Sequence, residues 1–199
     1  MQWCRSAFFK PSYESVYKKR TIIMTKLYLM RHGQTYFNIW HKIQGWCDSP
    51  LTPEGIKQAQ NAGKYFNDHH IIFDKAYCST AERASDTLEI ATKHQPPYTW
   101  LKGLREHGFG SFEAQDERLN PPLPYKDFFV KYGGESDQEV GKRLYQTIFK
   151  ILKDNSDAKN ILVVSHAGAI YAFTQTIHFD IRRQYTTRFS NCAFIVFNW

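Results

Sequence analysis

Two segments of this 199-residue chain lead from an apolar run through one polar residue into a histidine, with glycine following within two residues. They are Leu27-Tyr28-Leu29-Met30-Arg31-His32-Gly33 and Ile161-Leu162-Val163-Val164-Ser165-His166-Ala167-Gly168. Apolar runs this short, bounded by a glycine turn, have the length of strands buried on both faces. In an open α/β sheet, ligands sit outside the carboxyl ends of the strands. Two histidines delivered there by separate strands can face one pocket. A lone histidine after a strand is more often structural; a pair with glycine-assisted turns shifts the balance toward a site.

The rest of the chain alternates strand and helix signals. Thr52 suits an N-cap and Pro53 a first helical residue, with Ile56, Ala59, Ala62 and Phe66 on one face up to about Asn67. A second strand is predicted over Ile71–Cys78, then a helix capped by Ser79 or Thr80 and carrying Ala84, Leu88 and Ala91. A short strand follows around Tyr98–Leu101. Ser136 caps a helix through Ile151, another helix spans Ala169–Ile177, and Ala193–Phe197 closes as a strand. This alternation predicts an α/β fold, a three-layer sandwich with a mostly parallel central sheet and helices on both faces. Residues 102–135, rich in Gly and Pro, exceed an ordinary connection and are read as a lid-like insertion.

Charge enters where partners are concerned. The chain carries 26 Lys+Arg against 19 Asp+Glu, a net +7, which taken alone invites a polyanion. Arg5, Lys10, Lys18, Lys19 and Arg20 against Glu14 account for +4, which leaves +3 on residues 24–199. With Met24 just ahead of the first strand, residues 1–23 are expected to be an N-terminal extension outside the fold, and 24–199 the domain. A disordered basic arm and an amphipathic targeting segment are the rival readings of 1–23. Nucleic acid is not expected as a partner, because most of the excess charge leaves with that segment. No apolar run approaches the roughly 20 residues of a membrane helix, so no membrane association is expected. Four scattered cysteines show no metal spacing and fit a reduced, cytoplasmic setting. The chain ends at Trp199 directly after its last strand, where a further short element is expected.

Arginine supplies the next part. Arg31 precedes the first histidine, and Arg83 falls in the first turn of a predicted helix. Guanidinium groups beside a helix N-terminus form a fork suited to phosphoryl oxygens. A surface salt bridge is the ordinary alternative for either residue. The motifs then combine. Arg31-His32-Gly33-Gln34-Thr35 with Asn38, Gln44-Gly45 with Asp48, Pro50-Leu51-Thr52 and Gly55 resemble the opening of the histidine phosphatase superfamily, the phosphoglycerate-mutase-like proteins. The resemblance continues through Ser79-Thr80-Ala81, Arg83-Ala84, Leu104-Arg105-Glu106, Phe109-Gly110, Gly133-Gly134-Glu135-Ser136 and Ser165-His166-Ala167-Gly168. These blocks run in order over residues 27–170.

The resemblance implies His32 as the nucleophile that becomes a phosphohistidine. It implies Arg31, Arg83 and His166 as phosphoryl ligands, with Asn38, Gln44, Gly45 and Ala167 as further donors. Glu106 is implied as proton donor to the leaving oxygen and then as base toward water, although Glu113 and Glu117 stand in the same segment. No metal and no cofactor is implied, and the expected partner is a small phosphorylated metabolite. A homodimer is compatible with the sequence. Mutases of the family carry a Glu-Arg-His-Tyr-Gly block and a long insertion; here the block is Glu106-His107-Gly108-Phe109-Gly110, and 28 residues separate Glu106 from Glu135. That departure favours a phosphatase over a mutase, and the presence of His32, Arg83, Glu106 and His166 together favours it over a catalytically silent phosphoester-binding protein. Phe109, Phe112, Tyr125, Phe128 and Phe129 are expected to line an apolar mouth. His107 is expected to be a surface or packing residue, Asp48 to organise a loop, and Glu135 a helix start.

Overall fold

The computed structural model describes residues 24–180 and 189–199, so the expectation for residues 1–23 lies outside the described residues. Five strands, β1 (Lys26–Arg31), β2 (Lys75–Cys78), β3 (Tyr98–Trp100), β4 (Asn160–Ser165) and β5 (Phe194–Asn198), form one sheet in the order β3-β2-β4-β1-β5. All neighbours pair in parallel except β5, which runs antiparallel to β1 at the edge. Among the described residues five helices accompany them: α1 (Tyr36–Ile39), α2 (Pro53–Asp68), α3 (Glu82–Thr92), α4 (Asp137–Asp154) and α5 (Ala167–Thr176).

The alternation of side chains along the two central strands builds two cores. Leu27, Leu29, Ile161 and Val163 pack with Leu144, Ile148, Ile170 and Phe173 of α4 and α5. Tyr28, Met30, Leu162 and Val164 point the other way, against Ala59, Phe66, Ala84 and Leu88 of α2 and α3. The result is the expected three-layer α/β sandwich. Connections leave the adjacent strands β1 and β4 toward opposite faces, through α2 and α5 respectively. Such a divergence opens a crevice at the carboxyl ends of the two strands. Among the described residues, no helix is long and apolar enough to cross a membrane.

Three local expectations are corrected. Strand β2 begins at Lys75 rather than Ile71, and Ile72 is 77% exposed. The apolar character of that stretch belongs to Phe73, which packs edge-on against Tyr28 and Phe66 as an anchor before the strand. Helix α3 starts after Ala81, with no side-chain cap from Ser79 or Thr80. Its first amide, that of Glu82, donates instead to the Asp48 carboxylate from a separate loop. Finally, Phe109 and Phe129 are buried and do not line a mouth. Ile43, Phe109 and Phe129 form a small core of their own with Phe112, Tyr125 and Phe128 packed on it. Phe109 and Phe129 meet edge-on at 4.9 Å. Around this cluster the backbone runs through short 3₁₀ turns at Lys102–Leu104, Gly110–Phe112, Glu117–Leu119 and Val130–Tyr132.

Candidate functional site

Strands β1 and β4 are in register with Arg31 opposite Ser165, and the His32 amide donates to the Ser165 carbonyl at 3.0 Å. The next residue of each strand is therefore a histidine at the same level of the crevice. The two imidazoles lie 5.2 Å apart, centroid to centroid, and both are buried. His32 Nδ1 lies 2.7 Å from the Gly33 carbonyl. A carbonyl only accepts, so Nδ1 carries the proton and Nε2 keeps its lone pair. Burial pushes the His32 pKa well below its ordinary value, and the Arg83 and Arg31 cations push it further down, against the opposing bond to Gly33. The imidazole is neutral at pH 7, which is the form that can attack phosphorus. His166 is also held well below the ordinary value, by burial first and then by Arg83, His32, Arg143 and Arg31.

Arg83, near the start of α3, has no solvent exposure. One of its terminal nitrogens donates to Asp48 Oδ1 at 2.8 Å and the Cys47 carbonyl at 3.0 Å; the other donates to the Gly45 carbonyl at 2.8 Å. Gly45 presents that carbonyl from a left-handed conformation, φ +52°, and a Cβ there would press on Glu113 and Phe109. Arg31 anchors one of its nitrogens on the Phe189 carbonyl at 2.7 Å. Gln44 is buried, accepts the Thr35 hydroxyl at 3.1 Å through Oε1, and sits one residue from the Gly45 carbonyl that Arg83 holds. Asn38 Oδ1 accepts the Thr35 amide at 3.0 Å, one half of the capping box that starts α1. Arg83 Nε, Gln44 Nε2 and both ring nitrogens of His166 are buried without a hydrogen-bond partner among the described residues. Buried polar groups are ordinarily paired, so this concentration beside the nucleophile-competent imidazole fits a site made for an oxyanion.

The Glu106 carboxylate meets the first turn of α5, which begins at Ala167. His166 is the N-cap of α5 and Ala167 its first residue. Glu106 Oε1 accepts the Ala169 amide at 2.7 Å and the His107 amide at 2.8 Å, while Oε2 accepts the Gly168 amide at 3.1 Å. The competing carboxylates are committed elsewhere. Glu113 binds the amides of Trp46, Cys47 and Phe109, and Glu117 pairs with His41 at 2.6 Å. The structure therefore gathers Arg31, His32, Gln44, Gly45, Arg83, Glu106, His166 and Ala167 at one crevice. Asn38 joins through Asn191, whose side-chain nitrogen donates to the His32 carbonyl at 3.0 Å and lies 3.3 Å from Asn38 Oδ1.

Sequence reasoning missed Asp48 as the counter-charge of Arg83, Asn191, and the pair Arg143–Glu135. Glu135 does not start a helix; Ser136 and Glu139 form the capping box of α4. His107 is 2% exposed and stacks on Phe109 at 4.7 Å, within the aromatic cluster. Cys78, close to Arg83 in sequence, is buried at its strand end, and burial together with Glu89 pushes its thiol up to about 12.

Fold and site together define an α/β protein with a polar crevice at a topological switch point. The family model of the histidine phosphatase superfamily (branch 1) matches residues 27–199, and the chain belongs to that family. A broad-specificity phosphatase of Saccharomyces cerevisiae is 31% identical over 78% of this chain and 71% of its own length. A 2,3-bisphosphoglycerate-dependent phosphoglycerate mutase of Lactobacillus johnsonii is 31% identical, over 67% of this chain but only 56% of the mutase. Among solved structures, a phosphoglycerate mutase from Bacillus anthracis aligns with TM-score 0.76 and 26% identity over 88% of both chains. A phosphoserine phosphatase from Entamoeba histolytica, in complex with 3-phosphoglyceric acid, aligns with TM-score 0.72 and 29% identity over 87% of this chain and 90% of that one.

Proposed function

We propose that this protein hydrolyses phosphomonoesters of small metabolites through a phosphohistidine at His32, with no metal in the chemical step. The observation that carries the reading is the His32 tautomer, with Nδ1–H pinned on Gly33 and a lone pair left on Nε2 of a neutral imidazole beside two arginines. In the first half-reaction Nε2 attacks phosphorus and the ester P–O bond breaks, while the leaving oxygen takes a proton from Glu106. Oε1 already accepts two amides and Oε2 one, so Oε2 is the oxygen with a lone pair left to carry that proton. In the second, the Glu106 carboxylate takes a proton from water, the water oxygen attacks phosphorus, and the P–N bond breaks. Inorganic phosphate leaves and both side chains return to their starting states. Arg31, Arg83, His166 and Gln44 stabilise the charge on the equatorial oxygens, a form of catalysis by fixed dipoles and cations.

Hydrolysis is favoured over mutase transfer by His107. It stands where the mutase pattern has arginine, and it is buried in the aromatic cluster instead of reaching toward a substrate carboxylate. The named relatives include both phosphatases and mutases, so the test assays both. Acid-sensitive, base-stable labelling from a phosphorylated substrate is expected in the wild type and absent in His32→Ala; equal labelling of the two sinks the mechanism. Phosphate release from a panel of phosphomonoesters is expected to exceed 2,3-bisphosphoglycerate-dependent mutase turnover and to survive chelation. Binding without any turnover would instead identify a silent phosphoester-binding protein.

A further inference from the structure

Arg143, on α4, makes more directed hydrogen bonds than any catalytic role would require of it. Its Nε and one terminal nitrogen form a bidentate pair with Glu135, at 2.9 and 2.8 Å. The other terminal nitrogen donates to the carbonyls of Gly103 and Arg105, both at 3.0 Å. The nitrogen shared with Glu135 also donates to the Glu106 carbonyl at 3.2 Å. All five guanidinium N–H groups thus have acceptors, three of them main-chain carbonyls in the four residues ending at Glu106. Glu135 extends the hold past Glu106, because its Oε2 accepts the Gly108 amide at 2.9 Å. The Trp46 indole donates to the Glu106 carbonyl as well, at 2.9 Å.

We propose that the Arg143–Glu135 pair is a positioning device for Glu106, fixing the backbone on both sides of it so that its carboxylate meets the leaving oxygen. Arg143 touches no reacting atom. It acts through the 103–108 backbone, which past the 3₁₀ turn at Lys102–Leu104 lies in no helix or strand that would hold it. A planar guanidinium can satisfy several separated acceptors at once, and an ammonium cannot reproduce that fork. General-acid catalysis depends on hydrogen-bond reach of the proton to be moved, so slack in this loop removes the acid's contribution while the phosphate pocket on β1, α3 and α5 stays formed.

The inference rests on the proposed role of Glu106, and leaving-group dependence separates the two. An alkyl phosphate needs protonation of its departing oxygen, whereas p-nitrophenyl phosphate expels a stable anion without it. For Arg143→Lys, kcat/KM on glycerol phosphate is expected to fall about 10²-fold, within the range of general-acid contributions. The same variant should change kcat/KM on p-nitrophenyl phosphate by less than about threefold, on that same ground. Arg143→Met, which loses the charge as well as the fork, should match Arg143→Lys, because the planar fork and not the charge holds the loop. Glu135→Gln, nearly isosteric, carries the test if either Arg143 variant fails to fold, with the same direction of discrimination. Competitive inhibition by inorganic phosphate should be unchanged in every variant. If Glu106→Gln discriminates between the two substrates but the Arg143 and Glu135 variants lower both alike, the positioning role is wrong and the acid role stands. If Glu106→Gln does not discriminate, both fall.

Discussion

A guanidinium with no solvent exposure depends on its counter-charge, and for Arg83 that is Asp48, whose side chain is about one-third exposed. The pair lies between the exposed ion pairs worth little and the buried ones whose disruption costs several kcal/mol. Asp48→Asn is expected to lower stability by about 2 kcal/mol on that scale, read as a shifted urea midpoint. A bound phosphate would then become the main compensating charge for Arg83. Its stabilisation of the Asn variant, read as a thermal shift, should therefore exceed its stabilisation of the wild type; an equal or smaller shift would show that Arg83 is not a phosphate ligand. The residues that could be read from sequence were those whose neighbours along the chain reveal their setting, namely His32 and His166 after apolar runs and Arg83 at a helix start. Asp48, Asn191 and Arg143 act across 35 to 159 positions, and nothing in their local sequence indicates which distant group each one serves.

At the scale of elements, the docking of α2 onto the loop after His32 decides how rigid the imidazole's support is. Thr52 caps α2 through the Gly55 amide at 2.9 Å, and its hydroxyl donates to Gln34 Oε1 at 2.8 Å. Gly55 lies so close to that loop that a Cβ would come within 2.0 Å of the Gln34 carbonyl oxygen. Thr52→Ala should cost about 1 kcal/mol, the ordinary value of a lost cap. Gly55→Ala should cost about 3 kcal/mol, because the clash is with backbone that cannot rotate aside. It should also depress kcat/KM on every substrate alike by displacing His32; equal stability losses in the two variants would contradict this picture. Strong periodicity made α2 and α4 legible, and compact apolar runs the two central strands. Helix α1, at four residues, is too short to show a period, and the cap of α3 was hidden because it comes from Asp48 rather than from its own flank.

The molecule as a whole holds two fully buried neutral imidazoles beside two arginines, and this makes its stability depend on pH in a defined direction. The net +7 is no guide here, since what matters is where the cations stand. In the unfolded chain each histidine titrates near its ordinary value of 6.5; in the folded protein both titrate well below it. Between those values the unfolded state binds more protons than the folded one, so acid draws the equilibrium toward unfolding. Stability is fully present above about pH 6.5 and is lost as pH falls toward the depressed folded values. Each histidine contributes a slope of at most about 1.4 kcal/mol per pH unit. Urea denaturation between pH 7.5 and 5 should therefore show a steep loss below 6.5 in the wild type. His166→Asn should flatten that slope by up to one proton's worth, whatever it does to stability at pH 7.5. A slope unchanged in His166→Asn would mean that His166 is protonated in the folded protein, and the crevice would then hold a third cation instead of a second neutral imidazole.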